Sequence, residues 1–331
     1  MDTEYYAKLA LDQSSPFFNK ATQQTTAPGS TLKLLSTIAG MEEGVIDEGT
    51  YIECTGTFDY VDPPINCWNK EGHGGLDIRT AIEQSCNYFF NMVGFLAGKN
   101  SDGNFSENLS LTKLQKYASE FYLDKKSGSL SKLQEYASLI GLDQKTGIEL
   151  SEASPKVSDA KAVPSYMGQG NNLFTTTQLA RYATTVATSG NVFKLTLLDK
   201  VTDPKGEVLE EYEPELQDVV NISSNIWDVL HDGMRRVIQT HSQFDGLGIE
   251  VAGKTGTAEL DLRHPNHGLF VGYAPASDPE YAVAIRIANG YSSGNACLIA
   301  NDTFKYMYNL ADKDSILTGV ASTDTSDTSN D

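Results

Sequence analysis

A lysine stands in the first turn of an otherwise apolar helical run. Pro28-Gly29-Ser30 opens the run, Leu32, Leu35, Ile38 and Ala39 recur at helical spacing, and Gly44 stops it. A helix this apolar is buried, so the fold has to enclose it. The chain has 331 residues, 40% of them hydrophobic, which is enough for one large or two small domains around such a core.

The formal charge of −19 sets the class of partner rather than the fold. A field of that sign repels phosphate backbones and anionic headgroups, which argues against nucleic acid, but it permits a local basic pocket around a carboxylate. Cys54, Cys67, Cys86 and Cys297 are too few and too dispersed for a disulfide framework or a paired-cysteine zinc site. Cys54 and Cys67 flank a Gly-, Asp- and Pro-rich loop and are either bridged or two buried thiols. His264 and His267 lie in a loop with no third ligand at recognisable spacing, and His73 is read as a loop histidine, so no metal is expected. No run of 18 apolar residues and no leader-like start occurs, and the chain as written is expected to be soluble.

Further helices are expected from Asp77 through Ile82, from Tyr88 to Leu96, from Thr176 to Ala187 and from Asn225 to Ile238. A hairpin about Asp203-Pro204-Lys205-Gly206 is expected within 192–211, and strands at 249–259, 268–273 and 281–287. Helices first and an antiparallel meander last indicate an α+β layer fold. Lys113-Leu114-Gln115 returns as Lys132-Leu133-Gln134 in a duplication spanning 110–147, read as a surface insertion. The domain is placed at 1–319, with 320–331 a disordered acidic tail.

Ser30-Thr31-Leu32-Lys33 puts a hydroxyl and an amine three residues apart on one helix face. The helix start favours negative charge at Ser30, and burial of Lys33 disfavours its ammonium form, so the pair reads as a nucleophile with its base. Ser85-Cys86-Asn87 lies between two helices, suited to a proton-relay hydroxyl and a substrate-gripping amide. Lys254-Thr255-Gly256-Thr257 lies on an apolar strand whose Gly253 and Gly256 let a ligand backbone run alongside, with an ammonium and hydroxyls for a carboxylate. The chain carries its own decoys: Ser110-x-x-Lys113, Ser129-x-x-Lys132, Ser158-x-x-Lys161, Ser106-x-Asn108, Ser223-x-Asn225, Ser293-x-Asn295 and Lys145-Thr146-Gly147. Context separates them, because only the first set combines a buried helix, an inter-helix turn and an apolar strand.

With these motifs in this order, the chain resembles the transpeptidase domain of class B penicillin-binding proteins, from about Phe17 to Leu310. Cys67-Trp68, Gly72-His73-Gly74, Gly168-Gln169-Gly170 and Phe270-Val271-Gly272-Tyr273 extend the resemblance. It implies an antiparallel sheet flanked by helices on both faces with a mostly helical subdomain, as in β-lactamase-like folds. It also implies an acyl-enzyme on Ser30 with Lys33 as base, Ser85 and Lys254 relaying the proton, and Asn87, Thr255, Gly256 and Thr257 binding substrate. The implied partners are D-Ala-D-Ala stem peptides of peptidoglycan, β-lactams and the cell-wall synthesis machinery. No cofactor is implied, and the implied location is the outer face of the bacterial cytoplasmic membrane.

Three departures accompany the resemblance. Only 29 residues precede Ser30, where the family has two further strands, a pedestal and a membrane anchor, so the chain is read as truncated and the edge of 281–287 is expected to be unpaired. Residues 236–246 lack the Gly-Thr usual before the Lys254 strand, and the 110–147 duplication looks inserted. A class A β-lactamase is rejected because Glu213-Pro214-Glu215 follows a hairpin rather than forming a deacylating loop. A β-lactam sensor or non-catalytic scaffold is the alternative function.

Overall fold

The computed structural model describes residues 2–12, 15–99, 140–259 and 263–316. Most of the 110–147 duplication and all of the 320–331 tail lie outside them. Short helices α1 (Thr3–Ala10) and α2 (Lys20–Gln23) precede a 3-10 turn (Gly29–Leu32) that runs directly into α3 (Lys33–Glu42). Small strands β1 (Ile52–Cys54), β2 (Thr57–Phe58), β3 (Ile65–Asn66) and β4 (Gly74–Leu76) form a loop-rich lobe, with β1 paired to β4 and β2 to β3. Then come α4 (Ile78–Glu83), α5 (Asn87–Ala97), α6 (Ala162–Tyr166) and α7 (Thr176–Ala187). Strands β5 (Asn191–Phe193), β6 (Lys200–Thr202), β7 (Val208–Glu211) and β8 (Leu216–Val219) form nested hairpins, β6 with β7 and β5 with β8. Helix α8 (Ser224–Gln239), strands β9 (Ala252–Ala258), β10 (His267–Ala274) and β11 (Tyr281–Ile287), and helices α9 (Ser293–Met307) and α10 (Lys313–Ile316) complete the order. No described helix is long and apolar enough to cross a membrane.

The main sheet has the order β11-β10-β9, antiparallel throughout, with Val271 of β10 opposite Lys254 of β9 and Ala284 of β11. Alternation along β10 explains why the whole strand is buried. Leu269, Val271 and Tyr273 join the large core of α3, α5, α7 and α8, while Phe270 and Ala274 join Ala296, Cys297, Ala300 and Phe304 of α9 on the opposite face. The expected α+β sandwich of helices about an antiparallel sheet is therefore the observed fold. Among the described residues β11 pairs with β10 alone, in line with the expected open edge.

Local chemistry accounts for the helices that carry this core. Thr175 and Gln178 form a reciprocal capping box at the start of α7. Helix α8 buries Ile226, Trp227, Leu230, Met234, Val237 and Ile238 on one stripe, as its periodicity indicates. On α7 the buried Arg181 donates to the carbonyls of Gly141, Gln144 and Lys145. Glu152 accepts from the Thr146 N–H at 2.7 Å, the Thr146 hydroxyl at 3.1 Å and Gln178 Nε2 at 3.2 Å. The Lys145-Thr146-Gly147 decoy thus belongs to a structural network. Burial lowers the pKa of Arg181 against the opposing charges of Glu152 and Asp143.

Arg181→Leu leaves three carbonyls without their guanidinium and Glu152 without its opposing charge. The expected loss is about 3–5 kcal/mol, as for breaking one side of a buried ion network, read by urea unfolding.

Candidate active site

Ser30 lies in the 3-10 turn rather than in a continuous α-helix beginning at Pro28, which is a correction to the sequence reading. The tighter turn has three residues per revolution, so residues i and i+3 eclipse and Ser30 stacks over Lys33. Tyr182 of α7 bridges the change of pitch: its hydroxyl accepts from the Leu35 N–H at 2.8 Å and donates to the Thr31 carbonyl at 3.3 Å. Gly29 has φ +55°, and a Cβ there would sit 2.5 Å from the Thr257 carbonyl oxygen of β9. A Cβ on Gly256 would sit 2.9 Å from Thr31 Cγ2, and one on Gly253 2.4 Å from the Phe270 ring. The glycines of β9 therefore make room for the protein's own nucleophile turn and core.

The three motifs meet at one hydroxyl. Ser85, at φ +49° in the turn between α4 and α5, receives Lys33 Nζ at 3.2 Å and Lys254 Nζ at 2.9 Å on its Oγ. Lys33 also donates to the Ser85 carbonyl at 2.6 Å and to Asn87 Oδ1 at 2.7 Å, and Lys254 donates to the Thr255 carbonyl at 3.2 Å. Both lysines are fully buried. Lys33 further lies 5.6 Å from the Phe90 ring centroid, a cation–π distance. With Oδ1 of Asn87 bound to Lys33, its Nδ2 is the end that can donate to a ligand.

Ser30, Asn87 and Thr257 line one cavity of about 440 Å³, with Trp68, Gln169 and Lys161 on its walls. Lys161 escaped the sequence reading, which set it aside with the Ser158-x-x-Lys161 decoy. Its left-handed backbone (φ +56°) at the start of α6 brings it to the cavity, and no local pattern signals that. Ser85 and Thr255 line a second cavity of about 390 Å³, and Trp68 borders both cavities. Of the decoys, Ser223 and Ser293 mark helix starts. His267 is not a loop residue but the first residue of β10, where its Nδ1 accepts from the Asn289 N–H.

The cysteines overturn the expectation that they are too scattered to share a site. Cys54, Cys67, Cys86 and His73 bring their ligand atoms within 4.8 Å of one another, and no disulfide joins them. Tetrahedral zinc, at about 2.3 Å from sulfur and 2.0–2.1 Å from nitrogen, spaces sulfur pairs by roughly 3.8 Å and sulfur–nitrogen pairs by roughly 3.6 Å. Here Cys67 and Cys86 Sγ are 3.9 Å apart, and His73 Nδ1 is 3.5 Å from Cys54 Sγ and 3.6 Å from Cys67 Sγ. Contacts from Cys54 and Cys86 pull the Cys67 thiol far below its ordinary range, while burial pushes Cys86 up. Burial works against protonated His73, yet the cysteines raise it to about 9. Three sulfurs and an imidazole at these spacings fit one closed zinc site, directly beside Ser85.

The sequence profile described as the penicillin binding protein transpeptidase domain matches residues 2–308. Peptidoglycan D,D-transpeptidase MrdA of Acinetobacter baumannii is 26% identical over 322 residues, covering 91% of this chain and 45% of the relative. Peptidoglycan D,D-transpeptidase PbpA of Mycolicibacterium smegmatis is 28% identical, covering 86% and 54%. The chain thus spans about half the length of these curated relatives. Among solved structures, penicillin-binding protein A of M. tuberculosis as a ceftriaxone acyl-enzyme superposes with TM-score 0.73 at 21% identity, covering 92% of this chain and 65% of that one. The Helicobacter pylori PBP2 complex with MreC superposes with TM-score 0.71 at 20% identity, covering 94% and 55%.

Tyr182→Phe removes the hydroxyl that pairs two buried backbone groups at the nucleophile turn. The expected loss is about 1–3 kcal/mol in unfolding free energy, measured by denaturant titration.

Proposed function

Because the chain belongs to the penicillin-binding-protein transpeptidase family, we propose that it cross-links peptidoglycan by a serine acyl-transfer reaction and that β-lactams acylate the same serine. The single observation that carries this reading is the pair of buried lysines sharing the Ser85 hydroxyl, one of them Lys33 at the end of the turn that holds Ser30.

Ser30 Oγ attacks the carbonyl of the D-Ala-D-Ala bond, and Lys33, eclipsed with it in the 3-10 turn, takes the proton. Ser85 and Lys254 pass a proton to the departing D-Ala nitrogen. Thr255 and Thr257 hold its carboxylate, and Gly256 lets the nucleophile turn close on β9. Asn87 Nδ2 binds the substrate's peptide group. The N–H groups of Ser30 and Thr257 stabilise the oxyanion, a contribution of several kcal/mol in comparable sites. An amine of a second stem peptide then takes the acyl group.

The relatives support the finer reading in their own names: two are peptidoglycan D,D-transpeptidases, one structure is a ceftriaxone acyl-enzyme, and another is a complex with MreC. On that footing the chain acts at the outer face of the cytoplasmic membrane, in contact with cell-wall synthesis machinery. The Cys54, Cys67, His73 and Cys86 cluster holds zinc in a structural role. Bound there, the metal would tie β1, β4 and the Ser85 turn together and take no part in the acyl transfer.

Incubated with penicillin, the chain should gain one stable adduct on the Ser30 peptide by intact and tryptic mass spectrometry, and Ser30→Ala should gain none. Transfer of the acyl group to an added amine separates transpeptidase from sensor, which acylates and stops. Elemental analysis should find about one zinc per chain. Cys54→Ala and His73→Ala should lose it and melt earlier, and a metal-free, equally stable wild type would refute the site.

A further inference from the structure

The nested hairpins carry surface that the active site does not explain. Strands β5 to β8 form a two-stranded ribbon that leaves the core after α7 and returns to it at α8, and none of its residues borders either active-site cavity. Val192 and Val220 anchor its root in the core, whereas every residue of β6 and β7 is exposed. Seven exposed large apolar side chains lie within 197–219, Leu197 at 62% and Leu209 at 68% exposure among them. The ribbon is nonetheless well built. In its turn Asp203 Oδ1 accepts from the Lys205 and Glu207 N–H groups at 2.8 Å each, and beside its root Glu149 accepts from the Thr196 hydroxyl at 2.6 Å and the Leu197 N–H at 2.9 Å. Apolar side chains gathered on an ordered, exposed surface mark a place where something docks.

We propose that this ribbon docks a segment of another protein in which lysines or arginines are interleaved with apolar side chains. Charge selects the occupant. Residues 195–219 include eight acidic residues and two lysines, and one of those lysines, Lys200, lies 3.8 Å from Asp199. Acidic and apolar groups stand side by side: in the β6–β7 ladder Val201 is opposite Glu210, and Leu209 lies between Val208 and Glu210 on β7. A cationic, apolar-bearing segment therefore buries its apolar groups and meets opposite charge in one contact. A second copy of this chain would set two acidic ribbons against each other, and an anionic lipid surface would repel one. Among the described residues no third strand joins the ribbon. Its ladders shift register beside Val192 and Val201, and such irregularities twist a ribbon and oppose strand addition at its edge, so the partner is held over a face.

The test uses the full chain and a fluorescent amphipathic peptide of leucine and lysine, with anisotropy for affinity and hydrogen exchange for location. The peptide should bind and slow exchange at 197–211. The double variants Val208→Ser with Leu209→Ser, and Glu210→Lys with Glu211→Lys, should each weaken binding by about fivefold or more. Both should melt with wild type and be acylated at Ser30 by penicillin as wild type is, because all four positions are exposed and away from the cavities. A peptide with serine in place of leucine should bind more weakly by a similar factor, and one with glutamate in place of lysine should not bind. Absence of binding, equal affinity in both variants, or protection confined to other segments would overturn the proposal. Full affinity of the serine peptide would also overturn it, since charge attraction to the acidic chain would then account for the binding.

Discussion

Two lysine amines buried against one serine hydroxyl set the conditions for the surrounding architecture. Taking such polar groups out of water is costly unless oxygens replace the solvent. Lys33 and Lys254 therefore need the Ser85 carbonyl and hydroxyl, Asn87 Oδ1 and the Thr255 carbonyl within hydrogen-bond reach. The lysines and these oxygens together come from two helices, α3 and α5, strand β9 and the turn before α5, far apart in sequence. The nucleophile turn, the inter-helix turn and β9 are consequently tied to one another through these hydrogen bonds.

The close approaches enforce that arrangement sterically. Gly29 lies against Thr257, Gly168 against Gly29, and Gly256 against Pro28 and Thr31, each at distances a side chain would not permit. Tyr182 fixes the pitch change beneath Ser30 from the α7 side. On the far side, the cysteine–histidine cluster includes Cys86, which caps α5 by accepting the Phe89 N–H and adjoins Ser85. His73 also packs edge-on against Trp68, with ring centroids 4.8 Å apart, which links the cluster to the wall between the two cavities.

Periodicity located α7, α8 and β11 closely because each buries one face against a neighbour and carries that demand in its own residues. The hairpin about Asp203–Gly206 was legible for the same local reason, with turn chemistry between alternating strands. The 3-10 start of α3 was not, since its pitch is set by Tyr182, 147 residues from Leu35. Gly253 and Gly256 advertise space without stating what fills it; the filling atoms belong to Phe270, Pro28 and Thr31.

The sequence by itself determined the fold class, the order of the three motifs and the residue types able to do the chemistry, because amphipathic period and motif context are local properties. Tertiary structure alone decided that Ser85 is the meeting point of both lysines and that Lys161 reaches the cavity. It also decided that three dispersed cysteines and His73 converge to metal-ligand spacing, and that a second cavity opens on the relay. Those outcomes depend on distances between residues whose separation along the chain carries no information about their separation in space.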